Sequence, residues 1–562
     1  MIRFIIALVF IGFASGFAQM TSGCQADTVP ISEIQGLERR SAYAGELVTV
    51  QGVISSSFFA EDSLGGFFLQ DPLGDANPLT SDALFVKLDP SKFEQKLLPG
   101  DRVQVKGKVL ERNELTQLDR LESLELCGYY GLLEPTLAEF PTESLSDWER
   151  YEGMLVTFAQ PLSASEVYDL GHYGQVLLSA EGRLYHPNNG QENSQNNALR
   201  QLLLDDASKI ENPDPIPYLL PDESLRLGDT VLPEGVIVNY GLDAYKLEPT
   251  QLPLFERQNL RTAAPDEVGG RLKVASFNVL NYFTSLSERG SDTAEEFERQ
   301  EAKLVAALAA IRADVFGLIE IENNGERALG QLVSALNNYL GAELYTFSPD
   351  PPGGTGTDQI HQAFIYRADK VKLVSISSDK AAIHDRPPVA GVFQELVSEE
   401  MFTVIVAHFK SKGSCPAAGD TDKGQGCWTL RRGAQAEASL EFATRLVEAS
   451  GDEDVLIIGD LNSYRLEDPV TLLSQSFINL DERLPLNERY SYVYFGEAGT
   501  LDYAFASPSL NEQVTGFTIW HINSDESRIL DYNLEYNPPE LFRASPYRSS
   551  DHDPVVIGLD LN

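Results

Sequence analysis

Two carboxylates and an imidazole, Asp551, His552 and Asp553, stand directly in front of the apolar run in "SSDHDPVVIGLDL". Other polar residues hold the same kind of place. Asn278 follows "VASF", Glu320 follows "FGLI", His408 follows "VIVA", Asp460 and Asn462 follow "LIIG", and Asp502 lies in "TLDY". Asp and Ser often do no more than mark where a strand begins. If neighbouring strands bring these ends together, however, one cleft collects several carboxylates, two imidazoles and two amides, and burying them without a counter-ion is costly. A hard divalent cation supplies that counter-charge. Oxygen and amide donors without thiolates suit magnesium, with manganese or calcium as alternatives, better than zinc. The i, i+2 spacing of Asp460 and Asn462 aims both to one side while the strand stays extended, so one can orient water and the other a substrate oxygen. His552, hydrogen-bonded to Asp502, would be held in one tautomer with a raised pKa.

The elements that must position these residues alternate between strand and helix from 270 to 562. "RLKVASFNVL", "ADVFGLIEIENN", "HQAFIYR", "MFTVIVAHF", "EDVLIIGDLNS", "TLDYAFAS" and "DPVVIGLDL" read as strands. "AEEFERQEAKLVAALAAI", with Phe297, Leu304, Val305, Leu308 and Ile311 at helical spacing, and "RRGAQAEASLEFATRLVEA" read as helices. Nearly continuous apolar runs mean strands covered on both faces, so sheets pack against each other and against helices. Upstream, 28–130 alternates short strands with turns and suggests a small β-barrel resembling an OB-fold. Its Phe58, Phe59, Phe67 and Phe68 are candidates for base stacking or, more ordinarily, barrel core. The stretch 131–262 continues as a β-rich accessory domain with the polar insertion "PNNGQENSQNN", and a Pro/Gly-containing linker follows.

The 562-residue chain starts "MIRFIIALVFIGFASGFAQ", a basic residue, an apolar stretch and small residues, which describes a secretory signal peptide over 1–18. No other run reads as a transmembrane segment, so a secreted protein is expected. Four cysteines fit that compartment. Cys415 and Cys427 bracket a Gly/Asp-rich loop, and Cys24 and Cys127 would then form the second disulfide. A competing reading makes Cys24 a lipid-modified residue of a periplasmic or outer-surface lipoprotein, because "TSGC" has small residues before it. The formal net charge of −41 argues against a polyanionic substrate at long range, but a bound cation can reverse the field inside one cleft.

Taken in order, "VASFNVLNYF", "LIEIEN", "AHFKSKGS", "IIGDLNSY", "TLDYAFAS" and "SSDHDPVV" resemble the endonuclease/exonuclease/phosphatase (DNase I-like) superfamily. With the OB-like start and the Cys-bracketed loop, the whole chain resembles extracellular endonucleases of the ExeM/NucH type. The resemblance implies an α/β catalytic domain of two β-sheets packed as a sandwich and flanked by helices. It implies hydrolysis of DNA phosphodiesters, without sequence specificity or an obligate protein partner, to 5′-phosphate ends. It implies metal ligation by Glu320 and Asp551 with Asn278 in support. Asp460 and Asn462 would position water and phosphate, His552 and Asp502 would form a coupled pair, and His408 would be a second catalytic histidine. Lys410 and Lys412 supply local positive charge, and Arg386 resembles a phosphate-contacting arginine or else caps its Pro-Pro loop. In the pancreatic deoxyribonuclease branch a carboxylate orients the histidine matching His408; Ile360 stands at that place, and Asp358, two residues earlier, is expected to take over. Glu322 is a solvated strand end or a second ligand, and "DTDKGQG" is weak as a calcium loop. The rival readings are a secreted phosphodiesterase or phosphatase on phospholipid, nucleotide or other phosphoesters, and a non-catalytic acidic surface protein.

Overall fold

The computed structural model describes residues 24, 27–89, 91–93, 96–191, 194–241 and 243–562. The leader expected over 1–18 lies outside the described residues. The chain gathers into two compact units, one built from residues up to 138 with 146–157 and 235–245, the other from 139–145, 158–234 and 246–562. The stretch 131–262 is divided between them.

In the first unit five strands close into a barrel in the order Leu47–Phe58, Gly66–Gln70, Ala83–Lys87, Leu115–Tyr129 and Asp101–Arg112, the last pairing back on the first. Alternate residues such as Val48, Val50, Val103 and Val105 point inward and meet Phe67, Leu69, Leu84 and Val86, as period-two strands around a filled barrel require. Phe67 and Phe68 are fully buried and Phe58 sits edge-on against Phe68, so three of the four phenylalanines are core; Phe59 alone keeps 40% exposure. Cys24 is bonded to Cys127. Residues 146–157 are tied to the barrel through Glu152, whose Oε1 accepts from the Thr116 N–H (3.2 Å) and the Gln35 amide (3.4 Å).

The second unit contains two six-stranded sheets. One runs Tyr345–Phe347, Ile360–Arg367, Val315–Glu322, Leu272–Tyr282, Val555–Leu559, Val514–Ile519; the other runs Val371–Ser378, Val389–Glu395, Met401–His408, Val455–Asp460, Asp502–Ala506, Ile478–Asn479. A core including Val274, Ile319, Phe364, Val404, Val406, Ile458, Ala504 and Ile557 lies between them. Helices Ala294–Ile311 and Arg327–Leu340 cover the outer face of the first sheet, and Thr429–Ser450 with Asp468–Leu473 that of the second. This is the expected sandwich flanked by helices. The helix at 294 starts with a capping box, Thr293 and Glu296 each accepting from the other's backbone. The helix at 429 has no such local signal, because Trp428 before it is left-handed (φ 66°) and makes no side-chain cap. Its first turn is capped instead by Asp420, which accepts from the Leu430 and Arg431 N–H groups, both at 2.9 Å. "DTDKGQG" is therefore a capping loop, with Asp422 accepting from Gly424 and Gly426.

Within the same unit, 158–234 supplies Leu162–Glu166, Val176–Ser179, Gln201–Leu204 and Thr230–Val231, hydrogen-bonded in the order 230, 162, 176, 201. It also supplies Leu184–Tyr185, which joins the hairpin of Tyr492–Tyr494 and Glu497–Gly499 in a three-stranded sheet.

Candidate active site

Strand register builds the site. Met401–His408 and Val455–Asp460 are parallel with His408 opposite Asp460, and Asp460 is in turn opposite Asp502 on the antiparallel neighbour. Three ionisable residues stand abreast at one end of the second sheet. From the first sheet come Asn278 and Glu320, where both parent strands lose regular register. Leu280, Asn281 and Glu320 are left-handed there, with φ of 54°, 48° and 69°. Non-glycine residues pay about 1–3 kcal/mol each for that backbone, and such strain gathers at functional sites. Its result here is specific: the Asn281 N–H donates to Glu320 Oε2 (3.0 Å), and the buried Asn278 amide donates to Glu320 Oε1 (3.2 Å) and Asp460 Oδ2 (3.4 Å), joining the two sheets.

His552 Nδ1 lies 2.7 Å from Asp502 Oδ2, which also accepts from Ser491 Oγ at 2.7 Å, while Asp502 Oδ1 is buried without a hydrogen-bond partner among the described residues. This is the pair expected from sequence. His552 Nε2 is 3.9 Å from Asp460 Oδ2, and His408 Nε2 is 3.5 Å from the same oxygen and 3.9 Å from Glu320 Oε1. Burial opposes a charge on either imidazole, but the outcomes differ. For His552 the carboxylates of Asp502, Asp460 and Asp551 overcome burial and raise its pKa well above the ordinary value. For His408 burial, reinforced by Arg386 and by His552, drives it well below. Asp460 is pushed up to about 7 by burial, with His552 pulling against and Asp502 adding to the rise.

Around this centre several expectations change. The strand ends at Asp460, so Asn462 is not placed by extended alternation: it is left-handed (φ 48°), its N–H donates to Asp460 Oδ1 (2.8 Å) and its amide to Phe409 O (3.2 Å). Arg386 is buried and donates to the same Phe409 carbonyl. Asp358 precedes the strand that starts at Ile360 and pairs with Arg289 (3.1 Å) and Arg386 (3.6 Å). Among the described residues no hydrogen bond or ion pair joins Asp358 to His408. Lys410 is half-buried, its ammonium 5.4 Å from the Trp428 ring. Lys412 is held by the buried Glu467 and lies over Tyr464 (4.6 Å). Glu322 is neither solvated nor turned to the cluster, since it accepts from Thr284 N and Oγ1 (2.7 and 2.8 Å) and fixes that loop. Sequence reasoning missed Arg289, Ser491 and Tyr492, whose ring lies 4.6 Å from that of His552. The one local signal for Tyr492 was its place in "YSYVYF", where alternation puts Tyr490, Tyr492 and Tyr494 on one face of the strand.

The donors fit a hard cation. Burial, and next the charge of half-buried Asp551, hold Glu320 above the usual carboxylate range, and a divalent ion between two carboxylates relieves that repulsion. Asp460, Asp502 and His552 also offer atoms within 4.8 Å of one another. There Nδ1 of His552 is hydrogen-bonded to Asp502, while its Nε2 stands 3.9 Å from Asp460 Oδ2, so only one edge of the trio is a hydrogen bond. Cys415 and Cys427 are bonded, Cα to Cα 5.3 Å. The fully buried Arg432 connects their loop to the site, donating to Cys427 O, Gln425 O and Ser463 Oγ.

Residues 275–552 match the family model described as Endonuclease/Exonuclease/phosphatase family. Among solved structures the chain is similar to the human Nocturnin catalytic domain (17% identity, 53% of this chain and 95% of that chain, TM-score 0.33). It is similar also to the mannosyl-6-phosphatase Bt3783 of Bacteroides thetaiotaomicron (19%, 52% and 100%, TM-score 0.36) and to truncated Caenorhabditis elegans TDP2 (13%, 51% and 96%, TM-score 0.34). At these identities none of the three bears on the substrate. No curated protein matches the chain.

Proposed function

Residues 275–552 form a domain of the Endonuclease/Exonuclease/phosphatase family, whose members hydrolyse phosphoester bonds, and from that premise we propose that this protein is a secreted, divalent-metal-dependent endonuclease acting on extracellular DNA, of the ExeM/NucH type. The observation that carries the reading is the abreast placement of His408, Asp460 and Asp502, with His552 held on Asp502 and Asn278 bridging to Glu320. The five-stranded barrel is read with it as an OB-fold-like domain, and both disulfides accord with an exported protein.

Glu320 and Asp551, with Asn278 in support, would hold the cation, magnesium being the first choice. When bound, it neutralises phosphate charge and favours attack by water. Asp460 orients the attacking water and accepts its proton; the water oxygen bonds to phosphorus and the 3′ oxygen departs, taking a proton from bulk water to become a hydroxyl and leaving a 5′-phosphate. His552, fixed by Asp502, donates to a phosphate oxygen, and His408 and the Asn462 amide line the opposite side of Asp460 to hold the transferring group. Arg386 and Lys410 add positive charge in a chain of net −41.

Supercoiled plasmid tests this, since a pure exonuclease cannot start on a closed circle. Wild-type protein with magnesium should nick and then degrade it, and chelator should abolish that. Asp460→Ala, His552→Ala and His408→Ala should each lose at least about 100-fold in turnover. Turnover confined to phospholipids or phosphomonoesters would replace the nuclease with another phosphoesterase.

A further inference from the structure

The hairpin beside His552 has an unusual tip. Tyr494 is paired with Glu497, so the turn is the two residues Phe495 and Gly496. Both have positive φ, 48° and 79°, the backbone of a type I′ turn, in which Asn-Gly or Asp-Gly is the sterically easy choice. A bulky side chain at the first of those positions is disfavoured. Yet Phe495 occupies it and is 77% exposed, next to Tyr494 at 56%, their rings 4.4 Å apart. Neither turn chemistry nor burial accounts for these rings. Tyr492 and Tyr494 share one face of their strand, and Tyr492 packs on His552. Aromatic surface therefore runs from the catalytic imidazole to the tip of the hairpin.

The hairpin is also held firmly by residues that take no part in hydrolysis. Leu184–Tyr185 adds a parallel strand, Leu184 opposite Glu497 and Tyr185 opposite Ala498. The Gly496 N–H donates to Glu166 (3.0 Å), Asn197 donates to Glu497 Oε1 (2.7 Å), and Asn189 Oδ1 accepts from the Thr500 N–H (2.9 Å). A Cβ on Gly496 would stand 2.6 Å from Leu177, so the turn is seated against the segment that precedes the catalytic strands. A platform fixed in this way loses little entropy when a flat partner lies on it.

We propose that Tyr494 and Phe495 stack on a base flanking the cleaved phosphate, selecting base-bearing phosphodiesters over those carried by lipids or sugars, and that strand Leu184–Tyr185 with Glu166, Asn189 and Asn197 serves to hold this platform. The proposal rests on the nuclease reading. Stacking is tolerant of sequence because every base has a π-face, which suits a substrate read without sequence preference. The alternative occupant, a bilayer, is disfavoured: two rings flanked by Glu497 lack the broad apolar face and cationic rim of a membrane-surface element.

Phe495→Asn is the decisive variant, because asparagine is a preferred residue for this turn and the protein should melt no lower than wild type. The probes are oligonucleotides with one cleavable phosphodiester among phosphorothioates, flanked by thymidine or by an abasic residue. Wild type should prefer the thymidine substrate. In Phe495→Asn its KM should rise about 5- to 50-fold, and the preference should collapse toward one. Tyr339→Asn, altering an exposed tyrosine on helix Arg327–Leu340, should keep both values. An unchanged preference in Phe495→Asn overturns the proposal. So does co-sedimentation of wild type with phosphatidylcholine vesicles that the variant loses while its base preference stays intact, which would make the tip a lipid anchor. If wild type cleaves neither oligonucleotide nor plasmid, the nuclease reading itself fails, an outcome distinct from a nuclease indifferent to Phe495.

Discussion

Lys410 and Lys412 stand two residues apart and have different fates. Lys412 is committed to Glu467, which is fully buried and also faces Arg432 at 3.8 Å. Among the described residues the Lys410 ammonium contacts Ser411 and the Trp428 ring, and no carboxylate pairs with it. Lys410→Met should therefore raise the KM for DNA about 3- to 10-fold and flatten its dependence on salt. Lys412→Met should mainly destabilise, by roughly 3–5 kcal/mol, because it leaves a buried carboxylate short of its partner. Thermal melts and KM measured on both variants decide this, and the reverse pattern would move the phosphate contact to Lys412. Asp358 makes a similar point. Since it pairs with Arg289 and Arg386, Asp358→Asn should weaken substrate binding through Arg386, and its loss should multiply with that of His408→Ala. A double variant no worse than His408→Ala would restore a direct Asp358–His408 unit. The polar residues at strand ends were legible because each interrupts an apolar run. Their partners were not, because Arg289 with Asp358 or Lys412 with Glu467 are far apart in the chain and periodicity carries no signal for such pairs.

At the scale of elements, strands and helices followed their patterns closely, and the departures lie where the backbone leaves the regular menu. The strand of "LIIGDLNS" ends at Asp460, and Glu320 breaks alternation with its left-handed backbone, so side-chain direction there could not be read by period two. The helix at 429 is capped from ten residues away by Asp420, a signal no local cap rule detects. Residues 146–157 carry a prediction of their own. Burial, and next the charge of Glu149, raise Glu152 well above its ordinary value of 4.5, while its Oε2 and Gln35 Oε1 are buried without hydrogen-bond partners among the described residues. A carboxyl whose pKa is raised on folding favours the fold fully below its unfolded pKa, and that contribution is lost as pH rises toward the folded one. The first unit should thus lose stability from about pH 4.5 upward until Glu152 ionises. Glu152→Gln should melt higher than wild type at pH 8 and no higher at pH 4. A melting difference independent of pH would show that Glu152 is already ionised in the fold.

At the scale of the molecule, the chain passes several times between its two compact units, since 146–157 and 235–245 belong with the barrel and 158–234 with the catalytic strands. No single cut in the chain separates the units, which linear reading of 131–262 as one accessory block did not anticipate. A second feature is the position of Val555–Leu559. It is the last of the described strands in the chain, yet it lies inside its sheet, between Leu272–Tyr282 and Val514–Ile519, and Asp551 and His552 immediately precede it. Val555–Leu559 is paired on both sides, so it alone joins Leu272–Tyr282 to Val514–Ile519 within the described part of that sheet. Were it detached, the first sheet would have an open seam and the candidate site would lose both Asp551 and the imidazole fixed by Asp502. Seating this strand therefore closes the first sheet and completes the candidate site in one event, so fold and site are assembled or lost together.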